Sequence, residues 1–343
     1  MGWKVLLPQE LKQDARDLLE SHGCTLIDGR GFETEDVIAD MKEHQPDAII
    51  VRITKMTRAV FEAGDPNLKV LVRHGAGYDA VDLQAAADHG VKCLYAPVAN
   101  STSVAETAMM LMLYLSRNVT RLRDMLTVDF YDAKLKTHMT TLNGKTVGLI
   151  GCGNIGSRFA KRALAMEMNV LAYDPYKPAA DFPEGVEVVR DLSRIFKESD
   201  YVSLHAPNTP VTRNMVNKET LAMMKPTAFL INTARGALVN EADLYDACKN
   251  GIIAGAGLDA VAHEPVDPDM PLLTLKNVLI TPHVGGNTVE AAMRASYMAA
   301  MGVVEMQEGK QPTWPIPDID YENAKTYTDT KKPDKKPSGM YDY

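Results

Sequence analysis

The chain has 343 residues, 45% of them hydrophobic and 24% charged, with a formal net charge of −8. That length fits two ordinary domains, and the apolar content suffices for a sizeable core in each. The acidic balance argues against a broad nucleic-acid interface, and no apolar run reaches the length of a membrane span.

The sequence enters Trp3-Lys4-Val5-Leu6-Leu7 without a charged leader, which predicts a first strand rather than a targeting segment. Short apolar runs at 5–7, 25–27, 48–51, 70–72 and 92–94 alternate with helical segments. This βαβ rhythm predicts a parallel sheet covered by helices. A helix is expected over 102–126, with Ser101 or Thr102 as its N-cap. Met109, Met110, Met112, Leu113 and Leu115 make it apolar nearly all round, as a helix buried on more than one side would be.

Lys145-Thr146-Val147-Gly148-Leu149-Ile150 reads as a buried strand running into Gly151-Cys152-Gly153-Asn154-Ile155-Gly156, after which 157–167 has helical periodicity. A second strand, Val170-Leu171-Ala172-Tyr173, ends in Asp174. A G-x-G-x-x-G with a strand before it, a helix after it and an acid at the next strand end is a dinucleotide fingerprint. The glycines let the backbone turn tightly and approach a pyrophosphate, the helix N-terminus offers N–H groups, and Asp174 can accept hydrogen bonds from the adenosine ribose. An acid at that position favours NAD over NADP. Strands are expected at 146–150, 169–173, 201–204, 228–231, 254–258 and 278–280, six in doubly wound order.

Three later motifs supply an Arg, a Glu and a His, at the mouths of strands or close behind them. Asn232-Thr233-Ala234-Arg235-Gly236 offers a guanidinium that can hold a carboxylate through two parallel hydrogen bonds. Gly257-Leu258-Asp259 is followed by Glu264-Pro265, and Thr281-Pro282-His283-Val284-Gly285-Gly286 closes the series. His283 can exchange a proton with a carbonyl or hydroxyl oxygen, and Glu264 can orient its imidazole. In a doubly wound sheet Arg235, Asp259 and His283 all fall at carboxyl ends of strands, where they can converge on a nicotinamide. Cys24, Cys93, Cys152 and Cys248 are far apart, with no C-x-x-C, and read as reduced structural thiols of a cytoplasmic protein; no metal site is expected.

With Val51-Arg52-Ile53-Thr54-Lys55-Met56-Thr57, Arg73-His74-Gly75-Ala76-Gly77-Tyr78-Asp79-Ala80-Val81-Asp82 and Val202-Ser203-Leu204-His205-Ala206-Pro207, these motifs make residues 3 to about 310 resemble the D-isomer-specific 2-hydroxyacid dehydrogenase family, closest to its phosphoglycerate dehydrogenase and hydroxypyruvate/glyoxylate reductase branches. The resemblance implies an α/β fold in which a Rossmann cofactor domain at 99–287 is inserted into a smaller, flavodoxin-like substrate domain at 1–98 and 288–323, with a polar tail at 324–343 to which no chemistry is assigned. It implies NAD as cofactor, with contacts from Gly151, Gly153, Asn154, Ile155, Asp174, Ala206, Thr233, Ala234, Arg235, Asp259, His283 and Gly286. Arg235, Glu264 and His283 would be catalytic, and Arg52, Ala76, Gly77 and Arg235 would bind a small 2-oxo or 2-hydroxy acid. Arg52 matches an arginine that meets the distal phosphate in phosphoglycerate dehydrogenases, whereas Lys134 and Lys136 read equally well as a solvated charge run. The long helix and the arm after it would form a homodimer interface, with neither nucleic acid nor membrane as partner. A carboxylate at Glu264 sets the chain apart from the family's formate dehydrogenases, which carry an amide there. The competing reading from another class is an NADH-sensing, peptide-binding corepressor on the same fold.

Overall fold

The computed structural model describes residues 2–317 and 324–330. Five strands, β1 (Lys4–Leu7), β2 (Thr25–Asp28), β3 (Ala48–Val51), β4 (Val70–Arg73) and β5 (Lys92–Tyr95), form one parallel sheet in the order β2-β1-β3-β4-β5. Seven more, β6 (Thr146–Ile150), β7 (Asn169–Tyr173), β8 (Glu187–Val189), β9 (Tyr201–Leu204), β10 (Phe229–Asn232), β11 (Gly255–Leu258) and β12 (Val278–Ile280), form a second in the order β12-β11-β10-β9-β6-β7-β8. Residues 2–101 and 286–317 make one compact unit, and 102–285 with 324–330 make the other. Both sheets follow the doubly wound rule, the first in flavodoxin-like order and the second with its switch point between β6 and β9.

Burial on both faces explains why the strands read as continuous apolar runs rather than alternating ones. In the first unit Val5, Leu7, Ile50 and Val72 pack with Leu19 and Val303 on one face, while Leu6, Ile49 and Leu71 pack with Met41 and Phe61 on the other. In the second, Ile150, Val202, Leu230 and Leu258 meet Phe196 and Leu244, and Val147, Leu149, Val170 and Ile231 meet Phe159, Leu111 and Met112. The helix Val289–Gln307 belongs to the first unit and is capped by Thr288, whose hydroxyl accepts from the Ala291 N–H at 3.2 Å.

Two expectations need correction. The second sheet has seven strands, not six: Glu187-Val188-Val189 pairs with β7, and three residues are too few to carry a periodic signal. The helix expected over 102–126 is interrupted. It runs over Ser101–Ser116, then Asn118 takes a left-handed conformation (φ 48°), and shorter helices follow at Val119–Met125 and Phe130–Lys136. Asparagine is among the few non-glycine residues that enter that region readily, so it can break a stretch whose apolar pattern is continuous. Ser101 lies inside the first turn, its hydroxyl reaching back to the Pro97 carbonyl at 3.5 Å. Residues 324–330 of the polar tail are docked on the second unit through several hydrogen bonds; 331–343 fall outside the described residues.

Candidate active site

The β6/β9 switch point is where a ligand of a doubly wound sheet gathers, and the glycine turn stands there. Gly151 has φ 91°, and a Cβ on it would lie 2.7 Å from the His205 carbonyl carbon, so β6 and β9 ends approach too closely for any other residue. A Cβ on Gly156 would meet the Gly151 oxygen at 2.4 Å, which lets the helix Asn154–Ala165 start against the turn. Gly153 differs from both: a Cβ there would meet nothing within 4 Å, so the turn is open on the side where a pyrophosphate would approach. The Ser157 hydroxyl closes the turn by donating to the Cys152 carbonyl at 2.8 Å.

Asp174 follows β7. Its Oδ2 accepts from the Cys152 N–H at 2.9 Å and its Oδ1 from the Tyr176 N–H at 3.1 Å, which fixes the carboxylate beside the glycine turn. Ala206 and Ala234 are buried at the ends of β9 and β10. Near them three buried polar atoms, Thr233 Oγ1, His205 Nδ1 and Asn208 Oδ1, have no hydrogen-bond partner among the described residues. Orphaned polar atoms at strand ends, with an open glycine turn, fit a polar dinucleotide. Asn208 was not singled out from the sequence, since it belongs to no motif. His205 packs against Phe159, and desolvation pushes its pKa down to about 3, which keeps the imidazole neutral.

Arg235 stands just beyond β10. Buried Asn232 shapes the bend, accepting from the Ala234 N–H at 3.0 Å and donating to the Arg235 carbonyl at 2.9 Å. The guanidinium Nη1 donates to the Ala234 carbonyl at 2.7 Å. Gly236 passes so near the next loop that a Cβ would fall 1.9 Å from the Val261 carbonyl carbon. Three residues beyond Val261 comes Glu264, both of whose carboxylate oxygens lie 3.0 Å from His283 Nδ1. Both side chains are near 40% exposed, so the pair faces solvent and can meet a substrate. His283 has φ 54°, an uncommon conformation for a side chain of its size.

Asp259, at the end of β11, braces the His283 loop. It is 2% exposed, and its carboxylate accepts from Thr281 Oγ1 at 2.6 Å, the Val284 N–H at 3.0 Å and the Gly285 N–H at 2.8 Å. Arg235, Glu264, His283 and the dinucleotide fingerprint thus all lie in the second unit.

The substrate-side candidates lie in the first unit. Arg52 follows β3, its N–H held by Gln9 Oε1 at 2.8 Å and its Nη2 donating to Asn287 Oδ1 at 2.6 Å. The turn after β4 passes through Gly75 (φ 150°), and the N–H groups of Ala76 and Gly77 donate to no protein acceptor among the described residues. His74, beside them, bonds Ser296 Oγ through Nε2 at 2.9 Å; burial first and Arg52 second push its pKa down to about 4. Gly286 packs on Asn100 in this unit, where a Cβ would meet Asn100 Nδ2 at 2.8 Å. Lys136 forms a local ion pair with Asp132 at 2.9 Å, in keeping with a solvated charge run. The four cysteines are free thiols, and no group of side chains that could hold a metal occurs among the described residues.

A doubly wound sheet with this turn and this acid defines a dinucleotide-binding fold. The sequence model of the D-isomer specific 2-hydroxyacid dehydrogenase NAD binding domain matches residues 109–285. The chain is 40% identical over 309 residues to a D-3-phosphoglycerate dehydrogenase of Methanocaldococcus jannaschii, covering 90% of this chain but 58% of that protein. It is 41% identical over 295 residues to a hydroxypyruvate reductase of Thermotoga maritima, covering 85% of this chain and 94% of that one. A glyoxylate reductase from Paecilomyes thermophila superposes with a TM-score of 0.83 at 27% identity, over 92% of this chain and 98% of its own. The chain therefore belongs to the D-isomer specific 2-hydroxyacid dehydrogenase family, and the cofactor of its nucleotide-binding domain is NAD.

Proposed function

We propose that the protein is an NAD-dependent oxidoreductase that interconverts a small 2-oxo acid and the corresponding D-2-hydroxy acid. The observation that carries this reading is the Glu264–His283 pair at 3.0 Å on a loop braced by buried Asp259, in the same unit as the fingerprint and Arg235. When bound, NADH supplies the hydride for C2. Arg235 holds the carboxylate and polarises the keto oxygen, its fork steadied by the Ala234 carbonyl. His283 gives a proton to the oxygen at C2 in reduction and takes it back in oxidation. Glu264 engages Nδ1, which leaves Nε2 to face the substrate and balances the imidazolium charge. In the first unit, the N–H groups of Ala76 and Gly77, which donate to no protein acceptor among the described residues, are candidates for carboxylate oxygens, and Arg52 is the candidate for a distal anionic group.

The same reading gives residues 1–98 and 288–323 as the substrate domain and 99–287 as the cofactor and dimerisation domain. Val128 and Leu135 are each 75% exposed and Tyr131 70%, an apolar surface on the arm that a second copy would cover in a C2 dimer. A reducing compartment such as the cytoplasm suits four free thiols. No helix among the described residues is long and apolar enough to cross a membrane.

The substrates in view are hydroxypyruvate, its 3-phosphate (the two-electron oxidation product of 3-phosphoglycerate) and glyoxylate. NADH oxidation measured with all three tests the reading: turnover of none of them would overturn it. Arg52→Ala separates the three, because it removes only the partner of a distal group. It should raise KM for the phosphorylated substrate by roughly tenfold or more and leave glyoxylate little changed. A uniform loss across all three would mean that Arg52 serves the fold through Asn287 and not the substrate.

A further inference from the structure

Residues 324–330 lie against the loop that follows β7. The Tyr327 N–H donates to the Pro175 carbonyl at 2.8 Å, and Asp329 Oδ2 accepts from the Ala179 N–H at 2.8 Å. Arg190 joins this segment to the loop. Its Nε donates to the Asp329 carbonyl at 2.9 Å, its Nη2 to the Lys177 carbonyl at 2.9 Å, and its Nη1 to the Asp174 carbonyl. The Asp329 carboxylate also lies 3.7 Å from this guanidinium, whose side chain is only 14% exposed. On the loop's other side, Lys177 Nζ donates to the Cys152 carbonyl at 2.7 Å and Ser157 Oγ at 3.2 Å. The loop that carries Asp174 is thus fastened to the glycine turn at one edge and to the C-terminal segment at the other.

We propose that Arg190 and Asp329 are positioning residues for the adenosine end of the dinucleotide site, so that the segment 324–330 sets both NADH affinity and the preference for NADH over NADPH. The proposal rests on the reading of Asp174 as the ribose-binding acid. A carboxylate recognises a ribose diol only if both oxygens are held in place; the Cys152 and Tyr176 N–H groups hold those of Asp174, and the Arg190 cation, bound to the Asp174 and Lys177 carbonyls, holds the loop that presents them. The brace also fixes Lys177, the nearest cation in the loop. While Lys177 is bound to the Cys152 carbonyl and Ser157, it is kept from a 2′-phosphate. Loosening the loop weakens the ribose contact and frees that cation, so NADH loses affinity and NADPH is partly compensated.

The test uses the full chain with Asp329→Ala, alone and combined with Tyr327→Pro, which removes the N–H that donates to Pro175. NADH and NADPH dissociation constants are measured by fluorescence titration, with KM and kcat on a turned-over 2-oxo acid and a thermal midpoint beside them. The double variant should bind NADH about 3- to 20-fold more weakly, with NADPH weakened less and the kinetic change falling on KM rather than kcat. Asp329→Asn, which keeps an acceptor for Ala179, should recover most of the affinity. Unchanged NADH binding in the double variant overturns the proposal; so does an equal loss for both coenzymes with a lowered thermal midpoint, which would indicate general loosening. Asp174→Ala separates the two ideas. If it leaves NADH binding intact, the ribose reading itself fails; if it weakens NADH while the tail variants do not, only the brace fails.

Discussion

Two loops of the second unit hold functional side chains by opposite means. The His283 loop is drawn onto the carboxylate of Asp259, which is 2% exposed and takes three donors from the loop's own hydroxyl and N–H groups. The Asp174 loop is held at its outer edge by Arg190 and by Asp329, whose side chain is 47% exposed. A buried ion with all its partners supplied locally is costly to disturb, whereas partly exposed contacts form and break with little change in stability. In the proposed function, the acid/base end is thus held by buried contacts and the ribose end by partly exposed ones from a segment distant in sequence.

The largest effect expected from breaking this contrast is at His283 itself. His283→Ala should lower turnover by roughly 10²- to 10⁴-fold, the usual contribution of a positioned general acid, with NADH affinity little altered. Steady-state kinetics beside a NADH titration would check it, and near-normal turnover would remove His283 from the chemistry.

Next comes the brace beneath it. Asp259→Ala strands the donors of Thr281, Val284 and Gly285 and should cost on the order of 3 kcal/mol in stability, together with a loss of kcat. Denaturant unfolding and kcat would be read together. If stability falls and kcat holds, the loop keeps its shape without Asp259 and the contrast between the loops is wrong.

The smallest effect concerns acid. His205 stands at the glycine turn with its pKa pushed from 6.5 to about 3 by burial. The unfolded chain takes up this proton first, so the stability associated with a neutral His205 is full above pH 6.5 and is lost as pH falls from there toward 3. His205→Gln, which can still bond Ser203, should lose less stability than the parent between pH 7 and pH 5 in urea unfolding. Equal losses would mean that other groups carry the acid sensitivity.

Much of this was legible before the coordinates, for physical reasons that differ by element. The fingerprint and the Arg, Glu and His motifs are local: each sits at or just beyond a strand end, and the doubly wound rule brings strand ends together. The inner strands β1, β3 and β4 of the first sheet were placed within a residue because both faces are buried and the runs are unbroken. Other features leave no such trace. The break at Asn118 is a single backbone rotation inside an apolar stretch. The bracing by Asp259 leaves no trace either, because its donors are a hydroxyl and two backbone N–H groups 22 to 26 residues further on. The docking of 324–330 runs largely through carbonyls and N–H groups, including those of Pro175, Ala179 and Tyr327, and backbone groups are the same in every sequence.

The close passage at Gly236 has a consequence for how this site can vary. With a Cβ there falling 1.9 Å from the Val261 carbonyl carbon, the stretch bearing Arg235 and the stretch leading to Glu264 behave like meshed gears. Any residue larger than glycine would drive the stretch bearing Arg235 away from the one leading to Glu264, the two that the proposed function needs side by side. The two stretches therefore cannot slide past one another. The distance between the Arg235 and Glu264 side chains is thus set by a glycine that lies between them in sequence and touches neither.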